Sequence, residues 1–420
     1  METSEAAIRG FFREAYGRVT AVLGKETRDL ELVEEALQEA LIVALEKWPT
    51  TGVPGNVAGW IYMIARRKLV DALRRESVRQ RKYRGLEASQ AMFYEDPELA
   101  RVEEEVLFPD ERLSLIFACC HPVLNLEARL ALTLHALCGL TTGEIAAAFL
   151  IKEAALSRRI TRARRKIKDA GVPFRVPAAR DLPERLEGVR AVIYLIFNEG
   201  YDAHTGSELL RTDLIIEAIR LGRMLVDLMP DDPGARGLLA LCLLTDARRP
   251  ARVDAAGDPI LLEDQDRALW DQERIRDGLV ELDRARSLFR ARKGDDDARL
   301  YCLQAEIAAL HARAGRAQDT DWKQIAGCYE ILLRVRPTPV VRLNHAAAVA
   351  MAVGYAEGLA LMDAPDLRAA LDGYHWYHAA RANLLVRLER RDEARAAFQS
   401  ALDLCGNERE RNDLRRRMPE

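Results

Sequence analysis

Apolar residues return every three or four positions through the first part of the chain, the period of an amphipathic helix. Ile8, Phe11, Phe12, Ala15, Tyr16, Val19, Val22 and Leu23 define one such stripe, which Gly24 is placed to end. Leu32, Val33, Ala36, Leu37, Ala40, Leu41 and Ala44 define a second, with Glu34, Glu35, Gln38 and Glu39 elsewhere on its surface, an acidic face that suits a basic partner. The run PTTGVPGN is expected to be a loop, because prolines and glycines punctuate it. A third helix follows in AGWIYMIARRKLVDALRRESVRQRKYR and turns strongly basic, with nine Lys or Arg from Arg66 to Arg84 against Asp71 and Glu76. Trp48, Trp60 and Tyr62 flank the loop; aromatics beside a basic helix suit stacking on unpaired bases, and equally suit a core.

The stretch Gly139 to Ala170 has the pattern of two short helices joined by a tight turn. Thr141 with Glu144 three residues later is a capping box, Ile145, Ala148 and Phe149 give the first helix an apolar face, and Leu150, Ile151 and Lys152 span the turn. In the second helix Leu156, Ile160, Ala163 and Ile167 form one stripe. Around it lie Arg158, Arg159, Arg162, Arg164, Arg165, Lys166 and Lys168. A helix that docks along one side and carries this many cations on the other is suited to DNA, neutralising phosphates and reading bases from its first turns.

Between these parts, Gly85 to Glu111 is acidic and interrupted by proline, and reads as a linker. After Gly171 the prolines of VPFRVPAARDLPERL mark a boundary, beyond which amphipathic helices repeat with no strand-like alternation. Near the end, Ala380, Leu384, Ala394, Phe398 and Ala401 fall at the packing positions of a tetratricopeptide-like helix pair. The expected fold is all-α, closing in an α-solenoid of such pairs, a kind of scaffold that binds.

A chain of 420 residues exceeds one ordinary core, and its net charge of -3 means that affinity for nucleic acid has to come from local basic patches. No long apolar run or basic-then-apolar leader is present, so a cytoplasmic protein is expected. The seven cysteines lack disulfide-like spacing and read as reduced, mostly buried thiols. Cys119, Cys120, His121, His135 and Cys138 raise the question of zinc. Consecutive helical residues point about 100° apart, however, and no CxxC pair is present, so no metal and no cofactor is expected.

The pieces LVEEALQEALIVALEKW, GNVAGWIYMIARRKLVDALRR and GLTTGEIAAAFLIKEAALSRRITRARRKI, in this order, resemble regions two and four of bacterial RNA polymerase sigma factors of the extracytoplasmic-function group. The CCHP and IFNEGY runs extend the resemblance to large members with a tetratricopeptide-like C-terminal extension. That resemblance implies region 2 at 1–84, an acidic linker at 85–111, region 4 at 112–175 and the helical extension at 184–420. It implies core RNA polymerase as partner, through the beta-prime clamp helices and the beta flap, together with promoter DNA. Glu34, Glu35, Gln38 and Glu39 would dock on the clamp helices. Trp48, Asn56, Trp60, Arg66, Arg67, Lys68, Arg74 and Arg75 would serve the minus-ten element, and Lys152, Ser157, Arg158, Thr161, Arg162, Arg165 and Lys166 the minus-thirty-five element. A regulatory protein on the solenoid is a further expected partner, with Tyr374, Trp376 and Tyr377 as anchors.

A helix-turn-helix regulator or helical scaffold acting without polymerase is the alternative, but it has no use for the Pro/Gly loop and the upstream basic helix. An enzyme would need a site near Glu199, Tyr201 and His204. Gly200 as a helix C-cap, with Asn198 and Asp202 holding the next turn, accounts for that run, and an aromatic seam accounts for His375 and His378. No nucleophile, phosphate loop or metal signature accompanies either, so no catalysis is expected.

Overall fold

The computed structural model describes residues 4–84, 111–148, 151–178, 181–203, 208–291 and 296–419. The chain divides into two compact units, Met1–Val192 and Ile193–Glu420. The first holds α1 (Ser4–Glu14), α2 (Tyr16–Thr27), α3 (Leu30–Thr51), α4 (Val57–Arg84), α5 (Arg112–Cys119), α6 (Leu126–Cys138), α7 (Thr142–Ala148), α8 (Glu153–Asp169) and the start of α9 (Leu182–Tyr201). The second continues with α10 (Thr212–Leu228), α11 (Pro233–Asp246), α12 (Gln272–Ala291), α13 (Asp296–Arg313), α14 (Trp322–Val335) and α15 (Pro339–Ala352). It ends in α16 (Tyr355–Met362), α17 (Pro365–Leu371), α18 (His375–Arg387), α19 (Arg391–Leu404) and α20 (Glu408–Arg417). The fold is all-α: among the described residues there is no strand, only an isolated bridge between Val253 and Pro259. No described helix is long and apolar enough to cross a membrane.

Helices α1–α4 share a core of Phe11, Tyr16, Val19, Leu23, Val33, Leu37, Trp48, Ile61 and Leu69. The single N-terminal helix expected from the apolar period is two, broken at Ala15, and the second runs past Gly24 to a left-handed Arg28. The break precedes Gly17, whose backbone lies so close to α6 that a Cβ there would stand 2.0 Å from the Leu137 carbonyl oxygen. Asp29 caps α3 by accepting from the amides of Glu31 and Leu32 at 3.1 and 3.3 Å. The loop expected from Pro49 begins later. Pro49 lies in the last turn of α3, where its fixed φ suits a helix, and the helix stops at Gly52, with φ 85°.

The capping box is formed: the Glu144 amide donates to Thr141 Oγ1 at 3.2 Å, and Glu144 Oε2 accepts from the Thr141 amide at 2.8 Å. Gly139, at φ 67°, ends α6 just before it, and Leu156, Ile160, Ala163 and Ile167 are buried as one stripe. Phe149 and Leu150 lie outside the described residues, as do the linker residues 85–110 and His204. Cys119 and Cys120 are buried; burial pushes both thiols up, that of Cys120 to about 12. His121 Nδ1 accepts from the Val123 amide at 3.1 Å. In the first unit α9 packs on this segment, with Arg185 donating to the Phe117 carbonyl at 3.3 Å.

In the second unit most helices pack on sequence neighbours: α11 on α12 and α13, α14 on α15, α15 on α16, and α18 on α19. Leu384, Ala394, Phe398 and Ala401 are buried in the α18–α19 region and Ala380 is half-buried. Gly200 is not a cap but part of the last turn of α9. A Cβ there would stand 2.8 Å from the Ile215 amide, so close approach rather than chain reversal requires glycine. Tyr377 is 1% exposed and donates to the Met362 carbonyl at 3.3 Å, so in this fold it is core rather than a surface anchor.

Two glycine substitutions in the first unit should act in opposite directions. Gly17→Ala forces backbone apart and should cost about 1–3 kcal/mol or more, whereas Gly10→Ala, in α1 with nothing within 4 Å, should gain roughly 0.5–1 kcal/mol. Urea unfolding of the full chain measures both; equal effects would mean that the α2–α6 approach is not tight.

Candidate nucleic-acid and polymerase interface

Helix α8 has three sides with different chemistry. Its apolar stripe holds it in the first unit. On the open side Ser157, Arg158, Thr161, Arg162, Arg165 and Lys166 are all exposed. Their order is set along the helix: Thr161 Oγ1 donates to the Ser157 carbonyl at 3.0 Å and Arg162 Nε to the Arg158 carbonyl at 3.2 Å. Arg165 pairs with Asp169 at 3.6 Å, while among the described residues no carboxylate pairs with Arg158, Arg162 or Lys166. These three side chains line a groove with Leu124, Asn125 and Ala128 at the start of α6, and Glu127 lines it too, paired with Arg159. Lys152, also exposed, starts the helix, its carbonyl accepting from Ala155 at 2.8 Å. Closely spaced cations that outnumber the carboxylates beside them raise the local potential and suit a polyanion.

The third side of α8 faces acids. Lys168 pairs with Asp29 at 2.7 Å and Arg164 with Glu34 on α3, while Arg159, on the opposite flank of the helix, pairs with Glu127 at 2.9 Å. Glu34 also meets His135 Nε2 at 3.4 Å, and the His135 ring is fixed from its other side by the Leu140 carbonyl, 2.8 Å from Nδ1. Burial pushes the Glu34 carboxyl up, but the hydrogen bond from His135 and the charge of Arg164 outweigh burial and hold it below its usual value. The other acidic-face residues, Glu35, Gln38 and Glu39, are exposed; Gln38 donates to Glu34 at 3.4 Å and Glu39 pairs with Lys68 at 3.1 Å.

The residues assigned to the minus-ten element are distributed less openly. Trp48 is 3% exposed and meets Trp60 edge to face at 5.2 Å, so in this conformation it supports the loop from within and offers no face to a base. Trp60 is half-buried. Asn56 accepts from the Gly59 amide at 2.8 Å at the start of α4. Arg66 pairs with Glu26 at 3.3 Å, whereas Arg67, Arg74 and Arg75 are exposed. The sequence pattern puts Arg164 and Lys168 among the basic surface residues and offers His135 only as a candidate zinc ligand. Their partners, Glu34 and Asp29, are too distant in sequence for any spacing to reveal.

An exposed cationic helix following a capped short helix is the DNA-binding class of helix-turn-helix protein, and comparison with known proteins narrows the class. Residues 11–79 match sigma-70 region 2, residues 114–167 match sigma-70 region 4, and residues 185–286 match a family of unknown function, DUF6596. An uncharacterized protein of Rhizobium meliloti (strain 1021) is 43% identical over 380 residues, 90% of this chain and 88% of that one, and the chain belongs to the same family as that protein. The chain is thus sigma-factor-like, with a DNA-binding helix-turn-helix and a role in transcription initiation; sigma-factor families are not enzymes. No solved structure matches it.

The Glu34 cluster has a pH signature. Because the folded carboxyl sits below its unfolded value, its stabilisation is present above the unfolded pKa and fades as pH falls through the folded one. Arg164→Ala should raise the Glu34 pKa, read by carbon NMR of labelled glutamate, since burial then acts with less opposition. The variant's stability deficit should shrink in acid, where Glu34 is protonated. An unchanged Glu34 titration would show that Arg164 does not hold the carboxylate.

Proposed function

We propose that the chain is a promoter-specificity factor of the extracytoplasmic-function kind, acting in the cytoplasm with core RNA polymerase. The observation that carries this reading is the open row Ser157, Arg158, Thr161 and Arg162 on a stripe-docked α8, in a chain that matches both sigma regions in order. In this reading residues 1–84 bind core and act on the minus-ten element, 85–111 form an acidic linker, and 112–175 read the minus-thirty-five element. Residues 184–420, a tetratricopeptide-like extension, regulate or complete the activity, with a regulatory protein as a further partner.

Glu35, Gln38 and Glu39 are available to the beta-prime clamp helices, and Glu34 joins them when Arg164 and His135 release it. Arg67, Arg74 and Arg75 supply phosphate contacts at the minus-ten element. Arg66, Lys68, Asn56, Trp48 and Trp60 order the loop and helix around them, and Trp60 is the ring nearest to being available for a base. Lys152, Arg165 and Lys166 neutralise phosphates beside the base-reading residues, and region 4 rests on the beta flap.

Run-off transcription with core polymerase and a library of promoter fragments tests the reading. Specific transcripts should require the chain and should share one minus-thirty-five sequence. Arg158→Ala or Arg162→Ala should cost about 1–3 kcal/mol at particular base pairs, whereas Arg165→Ala or Lys166→Ala should weaken all sequences alike and flatten the salt dependence. Transcripts independent of the added chain would refute it. The intact chain is used, because a cut after Gly171 would strip from the first unit the start of α9, including Leu186 and Val189, which are 3% and 0% exposed.

A further inference from the structure

The last three helices bring together side chains that neither sigma region uses. His375 opens α18, Cys405 follows the end of α19, and Glu410 lies in the first turn of α20. Glu410 Oε2 is 3.2 Å from His375 Nε2 and 3.5 Å from Cys405 Sγ, and all three ligand atoms lie within 4.8 Å of one another. Cys405 is 4% exposed and Glu410 6%, while the His375 side chain keeps 14% of its surface open.

We propose that His375, Cys405 and Glu410 form a binding site for a zinc-like divalent transition-metal ion. A tetrahedral ion with nitrogen and oxygen ligands at about 2.0–2.1 Å and sulfur at about 2.3 Å has ligand edges of about 3.3–3.6 Å. The two edges at Glu410 already have that length, and the third closes by a turn of the half-buried His375 ring. The donor set is selective: thiolate and imidazole favour a borderline or soft ion over magnesium or calcium.

The site is also built in advance. Asn407, wholly buried, accepts from the amides of Arg409 and Glu410 at 2.9 and 3.3 Å and donates to the carbonyls of Ala203 and Glu208 at 3.1 and 3.2 Å. This fixes the turn between Cys405 and Glu410 before any ion arrives. The ion staples α18 to α20 and leaves a fourth position on the His375 side for water or another ligand.

The test is cobalt titration of the full-length chain after removal of metal by a chelator. One equivalent of Co2+ should produce a thiolate-to-cobalt charge-transfer band in the near ultraviolet, and Zn2+ should bleach it. Cys405→Ser should abolish the band, while Cys138→Ser should leave it unchanged. His375→Ala and Glu410→Gln should weaken cobalt binding by at least about tenfold. His375 is partly exposed, so its variant is a check that does not depend on replacing a core residue. A natively folded parent, by circular dichroism, that gives no band at excess Co2+ would overturn the proposal, as would a band that survives in Cys405→Ser.

Discussion

A carboxylate taken half out of water needs partners, and Glu34 finds them on two other helices. It sits on α3, at the edge of the acidic face, and its oxygens are engaged by Arg164 of α8 and His135 of α6. Asp29, the cap of the same helix, is held by Lys168 at 2.7 Å. The arrangement of α8 follows. With its apolar stripe inward and this flank committed to acids, the remaining side must carry its cations into solvent, and that is the row from Ser157 to Lys166. One set of charges therefore both anchors α8 and decides which of its arginines are free for DNA.

How much of this the sequence carried depends on distance along the chain. The capping box at Thr141 and Glu144 and the stripe from Leu156 to Ile167 depend on neighbours three or four residues apart, and both were legible. Pro49 was not, because proline in a last turn keeps its helical φ while the composition of the segment says loop. The break at Ala15 and the role of Gly200 were hidden for another reason: each reflects backbone pressed against a different helix, α6 for the first and α10 for the second. The Glu34 pairing and the His375, Cys405 and Glu410 cluster join residues from separate helices, and no local pattern marks them. Trp48 was legible only as an aromatic beside a loop; its burial is a tertiary fact.

The second unit shows the same division between local and distant information. Its helix pairs could be read from periodicity, and residues 185–286 fall in a family whose role is unknown. What periodicity could not say is that the chain's last helices converge on a thiol, an imidazole and a carboxylate around a buried asparagine. The two units thus offer separate handles: in the first a charge cluster between α3, α6 and α8, in the second a ligand set between α18, α19 and α20.

The central claim is that this chain works with core polymerase, not as a DNA-binding regulator on its own. Fluorescence anisotropy of the labelled full-length chain, titrated with purified core enzyme lacking any sigma subunit, tests it most directly. The account predicts saturable one-to-one binding without DNA, weakened at least about tenfold, or about 1.4 kcal/mol, by Glu35→Lys combined with Glu39→Lys. Binding to duplex DNA with no binding to core, or binding to core indifferent to both charge reversals, would contradict it.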